Sequence, residues 1–332
     1  MLSLQMLSLV VLLILFQPGE GGTSPISCYN DQGEAVDWFY LYKLPHVDRE
    51  IPNDGQSYLL MDKGSEGWTD GKVLVNDSTG ALGRTVGRLY EQGKNEDIAY
   101  ILYNDQRPPE EGERGFGQDN INLSVVLLDK TQGYWLVHST PHFPPVKEIG
   151  QYFYPGSGVQ NGQNFICVTY PLERFQAIGQ MAYSNLPHTQ PASNRSVSLT
   201  SLGGTKFISF AKGRSFNNDL YHSWVAPTLQ SDLLVQFWIR STGILPSDCS
   251  LGWKVLDIQL ISPGGRITFK ASNDHSKWAV STTGGGVDRA AGWVCVGDIN
   301  RNEAEEKRGG GTVCLQDATV WKAYRTAWFK HQ

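Results

Sequence analysis

The sequence predicts an α/β fold. Strand-like and helix-like stretches interleave along both halves of the chain. Its 332 residues include 36 glycines, 10 tryptophans and 14 tyrosines, the composition of a strand-rich, loop-rich globular protein rather than a disordered one. Beyond an apolar leader about 310 residues remain, enough for one large domain or two fused halves. No internal repeat stands out in the residues themselves.

The elements follow in order. Residues 1–16 are apolar apart from Ser3, Gln5 and Ser8, and the core at 7–16 has the length of a signal-peptide apolar region, too short to span a membrane. Residues 17–22 are polar and small and would hold the cleavage site, so 1–22 read as a signal peptide and 23–332 as the mature chain, with no membrane segment. Residues 35–45 alternate, are rich in aromatics and end at Pro45, which reads as a strand. Short strands are expected at 58–62 and 72–75, and a helix at 83–92 through Val86, Leu89 and Tyr90. The apolar run 97–103 predicts a buried strand, followed by a charged, glycine-containing loop at 106–120. Stretches 124–129 and 134–138 form a hairpin around Thr131-Gln132-Gly133. Residues 164–170 predict a strand, 172–183 an amphipathic helix and 185–196 a polar loop. Residues 207–214 fit a strand or a short helix, and 219–226 and 233–240 are aromatic-rich and fit either. A strand at 253–261 precedes the segment 266–270, and a helix at 320–329 closes the chain.

The chemistry centres on Asn273-Asp274-His275-Ser276-Lys277-Trp278. In an extended segment alternate side chains share a face, so His275 and Lys277 project together. An imidazole can attack phosphorus or protonate a leaving oxygen, and an ammonium can hold the phosphate's charge. Asn300 adds a neutral donor from a neighbouring loop. A bare H-x-K also fits a surface strand with a solvated lysine. Asn104 and Asp105 suit a cleft or a turn. Arg301, with Lys307 and Arg308, suits phosphate contact or solvated loop charge. There is no H-E-x-x-H and no carboxylate cluster, so no metal or other cofactor is expected. The net charge of −5 argues against a strongly basic nucleic-acid binder at neutral pH, but charging all seven histidines moves it to +2. No two of the five cysteines have metal-site spacing, and a secreted chain favours disulfides whose pairing the spacing leaves open. Asn76, Asn122 and Asn194 head glycosylation sequons.

Four motifs recur in order: Val36-Asp37-Trp38-Phe39, Leu136-Val137-His138-Ser139-Thr140-Pro141-His142-Phe143-Pro144-Pro145, Asp274-His275-Ser276-Lys277-Trp278 and Gly297-Asp298-Ile299-Asn300-Arg301. Together they resemble the deoxyribonuclease II family, acid endonucleases related to phospholipase D, over almost the whole mature chain. The resemblance implies two phospholipase D-like halves, about 23–165 and 166–332, each a mixed β-sheet flanked by helices and packed around a shared cleft. It implies metal-independent hydrolysis of DNA, with a phosphohistidine intermediate and 3′-phosphate products. It assigns catalysis to His275 and Lys277 with His138 and Asn300 in support, and Ser139 stands in the matched motif. With the residue readings of Arg301 and Asn104, substrate contact is expected at Ser139, Arg301 and Asn104. It also implies disulfides Cys28–Cys167 and Cys295–Cys314, with Cys249 left unpaired because its usual C-terminal partner is missing. One departure stands out. Relatives carry a first motif R-G-H-T-K-G, in the half usually assigned the nucleophile. This chain has Arg114-Gly115-Phe116-Gly117-Gln118, and neither histidine nor lysine between Lys94 and Lys130. Counting from Arg114, the histidine and lysine positions fall on Phe116 and Gln118; counting back from Asp129, on Ile121 and Leu123. Three functions follow: an acid endonuclease of weakened activity, an inactive secreted or lysosomal DNA-binding relative, or a secreted glycoprotein that binds a protein partner.

Overall fold

The computed structural model describes residues 24–47, 55–103, 123–184, 194–283 and 291–331. The leader, Asn104, the loop with Phe116 and Gln118, and Asn122 lie outside them.

A two-strand ribbon, β1 (Cys28–Tyr29) and β2 (Ala35–Val36), precedes the first sheet. That sheet comprises β3 (Trp38–Lys43), β4 (Tyr58–Asp62), β5 (Thr69–Asp70), β6 (Ala99–Tyr103), β7 (Ser124–Leu128), β8 (Gln132–His138) and β9 (Gln163–Pro171) in the order β5-β4-β3-β9-β8-β7-β6. Helix α1 (Ala81–Gln92) carries the chain from β5 at one edge to β6 at the other. Its crossover therefore joins no neighbouring strands, and the sheet is antiparallel throughout, not mixed as expected. Strand β9 runs through residue 165, where the halves were expected to meet.

After α2 (Phe175–Ser184) comes a second sheet of β10 (Arg195–Thr200), β11 (Lys206–Lys212), β12 (Leu233–Gln236), β13 (Val255–Ile261), β14 (Phe269–Lys270), β15 (Trp278–Ser281), β16 (Trp293–Gly297), β17 (Gly310–Gln316) and β18 (Trp328–His331). A single parallel pair, β12 with β13, makes this sheet mixed. A π-turn at Tyr221–Val225 runs into α3 (Ala226–Leu229), α4 (Glu303–Glu306) precedes β17 and α5 (Ala318–Arg325) follows it.

Central strands are buried on both faces. In β3, Trp38, Tyr40 and Tyr42 join a core with Ile166 and Val168 of β9 and with Trp278, Val280, Val294, Val296 and Val313 of the second sheet. The alternate residues Phe39 and Leu41 pack with Leu82, Val86 and Leu89 of α1. Beyond the second sheet, Ala279, Cys295 and Cys314 pack with Tyr221, Val225 and Leu229. The two sheets thus face each other across a core that α2 and α5 share, through Ile178 and Tyr324, while α1 packs on the other face of the first sheet and α3 on that of the second. Each fully buried large apolar side chain contributes about 1.5–3 kcal/mol by leaving water.

Four sequence expectations are corrected. The run 97–103, expected to be a buried strand, gives β6 at the sheet edge, where Tyr100 and Ile101 are exposed because only one side has a neighbouring strand. Residues 72–75 make turns held by Val75 N–H to Gln56 O (2.9 Å) and Asp77 N–H to Leu74 O (2.9 Å). The closing helix stops at Arg325, and β18 pairs with β13 instead, because an open strand edge offers ladder hydrogen bonds that outweigh helix propensity. Strand β10 begins at Arg195, inside the stretch read as a loop.

An internal repeat, hidden in the residues, is plain in the hydrogen bonding. Lys43 ends β3 opposite Gln163, and its Nζ donates to Val159 O (2.8 Å) and Asn161 O (2.5 Å). Lys212 ends β11 opposite Gly310, and its Nζ donates to Glu306 O (3.0 Å) and Arg308 O (2.8 Å), the same two offsets before the partner strand. Ser139 Oγ accepts from Asn164 N–H (3.0 Å) as Asp298 Oδ1 accepts from Gly311 N–H (2.9 Å). His138 N–H donates to Leu123 O (2.9 Å) as Gly297 N–H donates to Lys277 O (2.9 Å). In this register Leu123 stands where the second half has Lys277.

Candidate active site

A single 3-10 turn ends at Asn273, Asp274 is extended, and the chain through 277 leads into β15; this segment attaches to the end of β9 from the other sheet. His275 N–H donates to Gly162 O (2.8 Å), and Gly162 N–H donates to Asn273 O (2.9 Å). Asn164, fully buried, clamps Lys277 from both sides: its Nδ2 donates to Lys277 O (3.1 Å) and its Oδ1 accepts from Lys277 N–H (3.2 Å). Gly162 has no room for a side chain, since a Cβ there would lie 2.4 Å from Asp274 Oδ1.

Asp274 turns inward and is buried. Its carboxylate accepts from Tyr42 Oη, from Ser276 Oγ (2.6 Å) and from Ser276 N–H (3.1 Å). Burial pushes its carboxyl above the usual value, against the pull of these donors and of Lys277. With Asp274 and Ser276 facing in, His275 and Lys277 face the opposite way, as alternation requires.

Lys277 Nζ lies 3.0 Å from Nδ1 and 3.3 Å from Nε2 of His275, and donates to His275 O (2.9 Å). The Nδ1 of His275 is 2.8 Å from Ser139 O. A carbonyl only accepts, so Nδ1 carries the proton and Nε2 keeps a lone pair. Desolvation, then the Lys277 charge, holds the imidazole well below its ordinary pKa of 6.5. Both effects favour the neutral ring, whose Nε2 lone pair faces the Lys277 ammonium at 3.3 Å, an arrangement that could pair a nucleophile with a phosphate-holding charge. Trp238 packs edge-on against His275 with centroids 5.0 Å apart.

The other expected site residues divide. Asn300 Oδ1 accepts from Trp238 N–H (3.1 Å), so it positions the indole beside His275. Ser139 touches His275 through its carbonyl, while its buried hydroxyl donates to Gln163 Oε1 (2.6 Å). His138 closes β8, fully buried between Phe143 and Phe165. Its Nδ1 accepts from Thr140 N–H (3.3 Å), and its Nε2 is buried without a hydrogen-bond partner among the described residues. Desolvation and the Lys277 charge lower its pKa to about 3. Arg301 is a correction. It is buried and gripped by Asp219 (2.8 Å) and Asp257, so its guanidinium belongs to the core and not to a phosphate. A charged side chain in a loop reads as solvated until its carboxylate partners, from distant strands, come into view. Gly162, Asn164 and Trp238 were missed because no local pattern marks them; Tyr42 and Asp274 sit in quoted stretches but earned no role.

The disulfides are Cys28–Cys167 and Cys295–Cys314, and Cys249 is free and exposed. Asn76 and Asn194 are exposed. Among the described residues no group of histidine, cysteine or carboxylate side chains is placed to hold a metal, and no helix is long and apolar enough to cross a membrane.

Known proteins resemble the whole chain. The family model for Deoxyribonuclease II matches residues 27–191 and 180–332. The chain is 41% identical to deoxyribonuclease-2-alpha of Mus musculus, covering 96% of this chain and 95% of that one. It is 35% identical to deoxyribonuclease-2-beta of Homo sapiens (95% and 93%) and 32% identical to plancitoxin-1 of Acanthaster planci (97% and 96%). Matched from end to end, with the His275–Lys277 pair seated where its two sheets meet, the chain belongs to the deoxyribonuclease II family.

Proposed function

We propose that this protein is an acid endonuclease of the deoxyribonuclease II type, acting on DNA without metal through one complete H-x-K pair, in the cleft between two phospholipase D-like halves that divide after β9. The observation that carries the reading is the His275–Lys277 pair, with its tautomer fixed by Ser139 O. Nε2 of His275 attacks phosphorus while Lys277 and donors such as Asn300 hold the phosphoryl oxygens. The N–P bond forms as the bond to the 5′-oxygen breaks. Water then attacks phosphorus, frees the histidine and leaves a 3′-phosphate.

The departing 5′-oxygen needs a proton; with His275 as the nucleophile, the reverse of the usual assignment of the halves, a histidine of the first half would give it. Here the ladder sets Leu123 opposite in role to Lys277, and the residue two before it is Ile121. His138 is buried and its imidazole already neutral in mild acid, which suits it to support, not proton donation. Losing one member of a two-histidine unit commonly costs several orders of magnitude in rate, so cleavage is weak. The second reading, a DNA-binding relative without activity, rests on the same Leu123. Bridged cysteines suit the secretory pathway, with a lysosomal or extracellular end point. Asn76 and Asn194 are the accessible glycosylation sites, and Asn122 is a third by sequence.

The test is plasmid nicking at acid pH with a chelator present. Slow nicking, with 3′ ends that a polymerase extends only after phosphatase treatment, is expected. Nicking as fast as that by the mouse relative would refute the weakened mechanism, and binding without any nicking would establish the second reading.

A further inference from the structure

Beside His275, on the strand exit that follows β12, lie an indole and a guanidinium that the phosphoryl chemistry does not use. Trp238 is half-buried, fixed through its backbone by Asn300 Oδ1 (3.1 Å) and packed on the His275 ring at 5.0 Å. Arg240 is exposed. Its guanidinium lies 5.4 Å from the centre of the Trp238 ring, and its Nη2 donates to Asn273 Oδ1 (3.2 Å). Asn273 opens the same segment that carries His275 and Lys277.

We propose that Trp238 and Arg240 form a nucleotide subsite next to the phosphate held at His275, with the indole stacking a base that has left its helix and the arginine pairing the neighbouring phosphate. The inference rests on the nuclease reading and specifies how its substrate is gripped. Three facts support it. Every base has a π-face, so stacking on an aromatic ring holds DNA without reading sequence. An exposed arginine held by one neutral amide and lying over the Trp238 ring can exchange Asn273 for a phosphate at little cost, uncovering that face of the indole, and its planar fork suits the anion. The indole is rigidly seated by Asn300 and His275, so stacking orders few new rotors. A base in an intact duplex offers no face to an indole, so the subsite favours single strands, ends and frayed or flipped positions.

Fluorescence anisotropy at acid pH tests this, with a labelled single-stranded oligonucleotide, the matching duplex and a strand of abasic deoxyribose phosphates. Wild-type protein is expected to bind the base-bearing strand more tightly than the abasic one. Trp238→Ala should weaken the base-bearing strand about tenfold while leaving the abasic strand unchanged, and Trp238→Phe should recover most of the loss. Arg240→Gln should weaken both strands and lower the salt dependence by about one phosphate contact. If Trp238→Ala leaves all three affinities at wild-type values, or weakens base-bearing and abasic strands alike, the subsite is wrong while the nuclease reading stands. Wild-type protein that binds none of the three overturns both.

Discussion

At the scale of single residues, burial and charge shift the proton affinities of His275, His138 and Asp274. Desolvation and Lys277 lower the pKa of His275. Because it is the proposed nucleophile, His275→Ala should abolish nicking and leave affinity for DNA within about threefold, since affinity comes mainly from phosphate contacts spread along the strand. A gel assay beside a binding titration separates the two effects. His138 gives a pH prediction. Its pKa falls from 6.5 to about 3 on folding, so between those values the unfolded chain takes up a proton that the folded chain refuses. The stability associated with its neutral form is therefore complete above 6.5 and lost as pH falls towards 3. Asp274 has the opposite sign: its raised carboxyl contributes most in acid and loses that contribution as pH rises through its folded value. His138→Gln, whose side-chain oxygen can still accept from Thr140, should flatten the acid limb of a denaturation series by on the order of a few kcal/mol. An unchanged acid limb would mean that His138 is charged in the fold.

At the scale of elements, the His275–Lys277 segment is held by the end of a strand from the other sheet. A Cβ on Gly162 would meet Asp274 Oδ1 at 2.4 Å. Gly162→Ala should therefore push 273–277 off the end of β9, lowering the melting temperature by several degrees and kcat more than KM. Equal wild-type kcat would show that the segment does not need this anchor. The ladder also names a repair. Ile121→His with Leu123→Lys introduces an H-x-K whose lysine stands at the register position of Lys277, and nicking should rise by at least tenfold; Phe116→His with Gln118→Lys, the other alignment, should do less.

Across the whole molecule, the disulfides staple different spans. Cys28–Cys167 joins residues 139 apart, and Cys295–Cys314 residues 19 apart on neighbouring strands. Chain entropy gives about 5 kcal/mol to the first and about 3 kcal/mol to the second. Replacing Cys28 and Cys167 by serine should thus cost more stability in urea unfolding than replacing Cys295 and Cys314. The reverse order would show that local packing around β16 and β17 outweighs loop closure.

By itself the sequence determined most of the interleaved elements and the His275–Lys277 pair, because these rest on short-range periodicity or on motifs whose residues are adjacent in the chain. The disulfides Cys28–Cys167 and Cys295–Cys314 and the free Cys249 were legible only through the family resemblance, since spacing alone left the pairing open. The structure decided everything that depends on partners far apart. Arg301 became a core residue through Asp219 and Asp257, and Gly162 and Asn164 became anchors of a segment more than a hundred positions away. Residues 328–331 became a strand because β13 lay open. The repeat surfaced only as ladder register: backbone carbonyls receive Lys43 and Lys212 alike whatever side chains they carry, so hydrogen-bond geometry persists where residue identity does not.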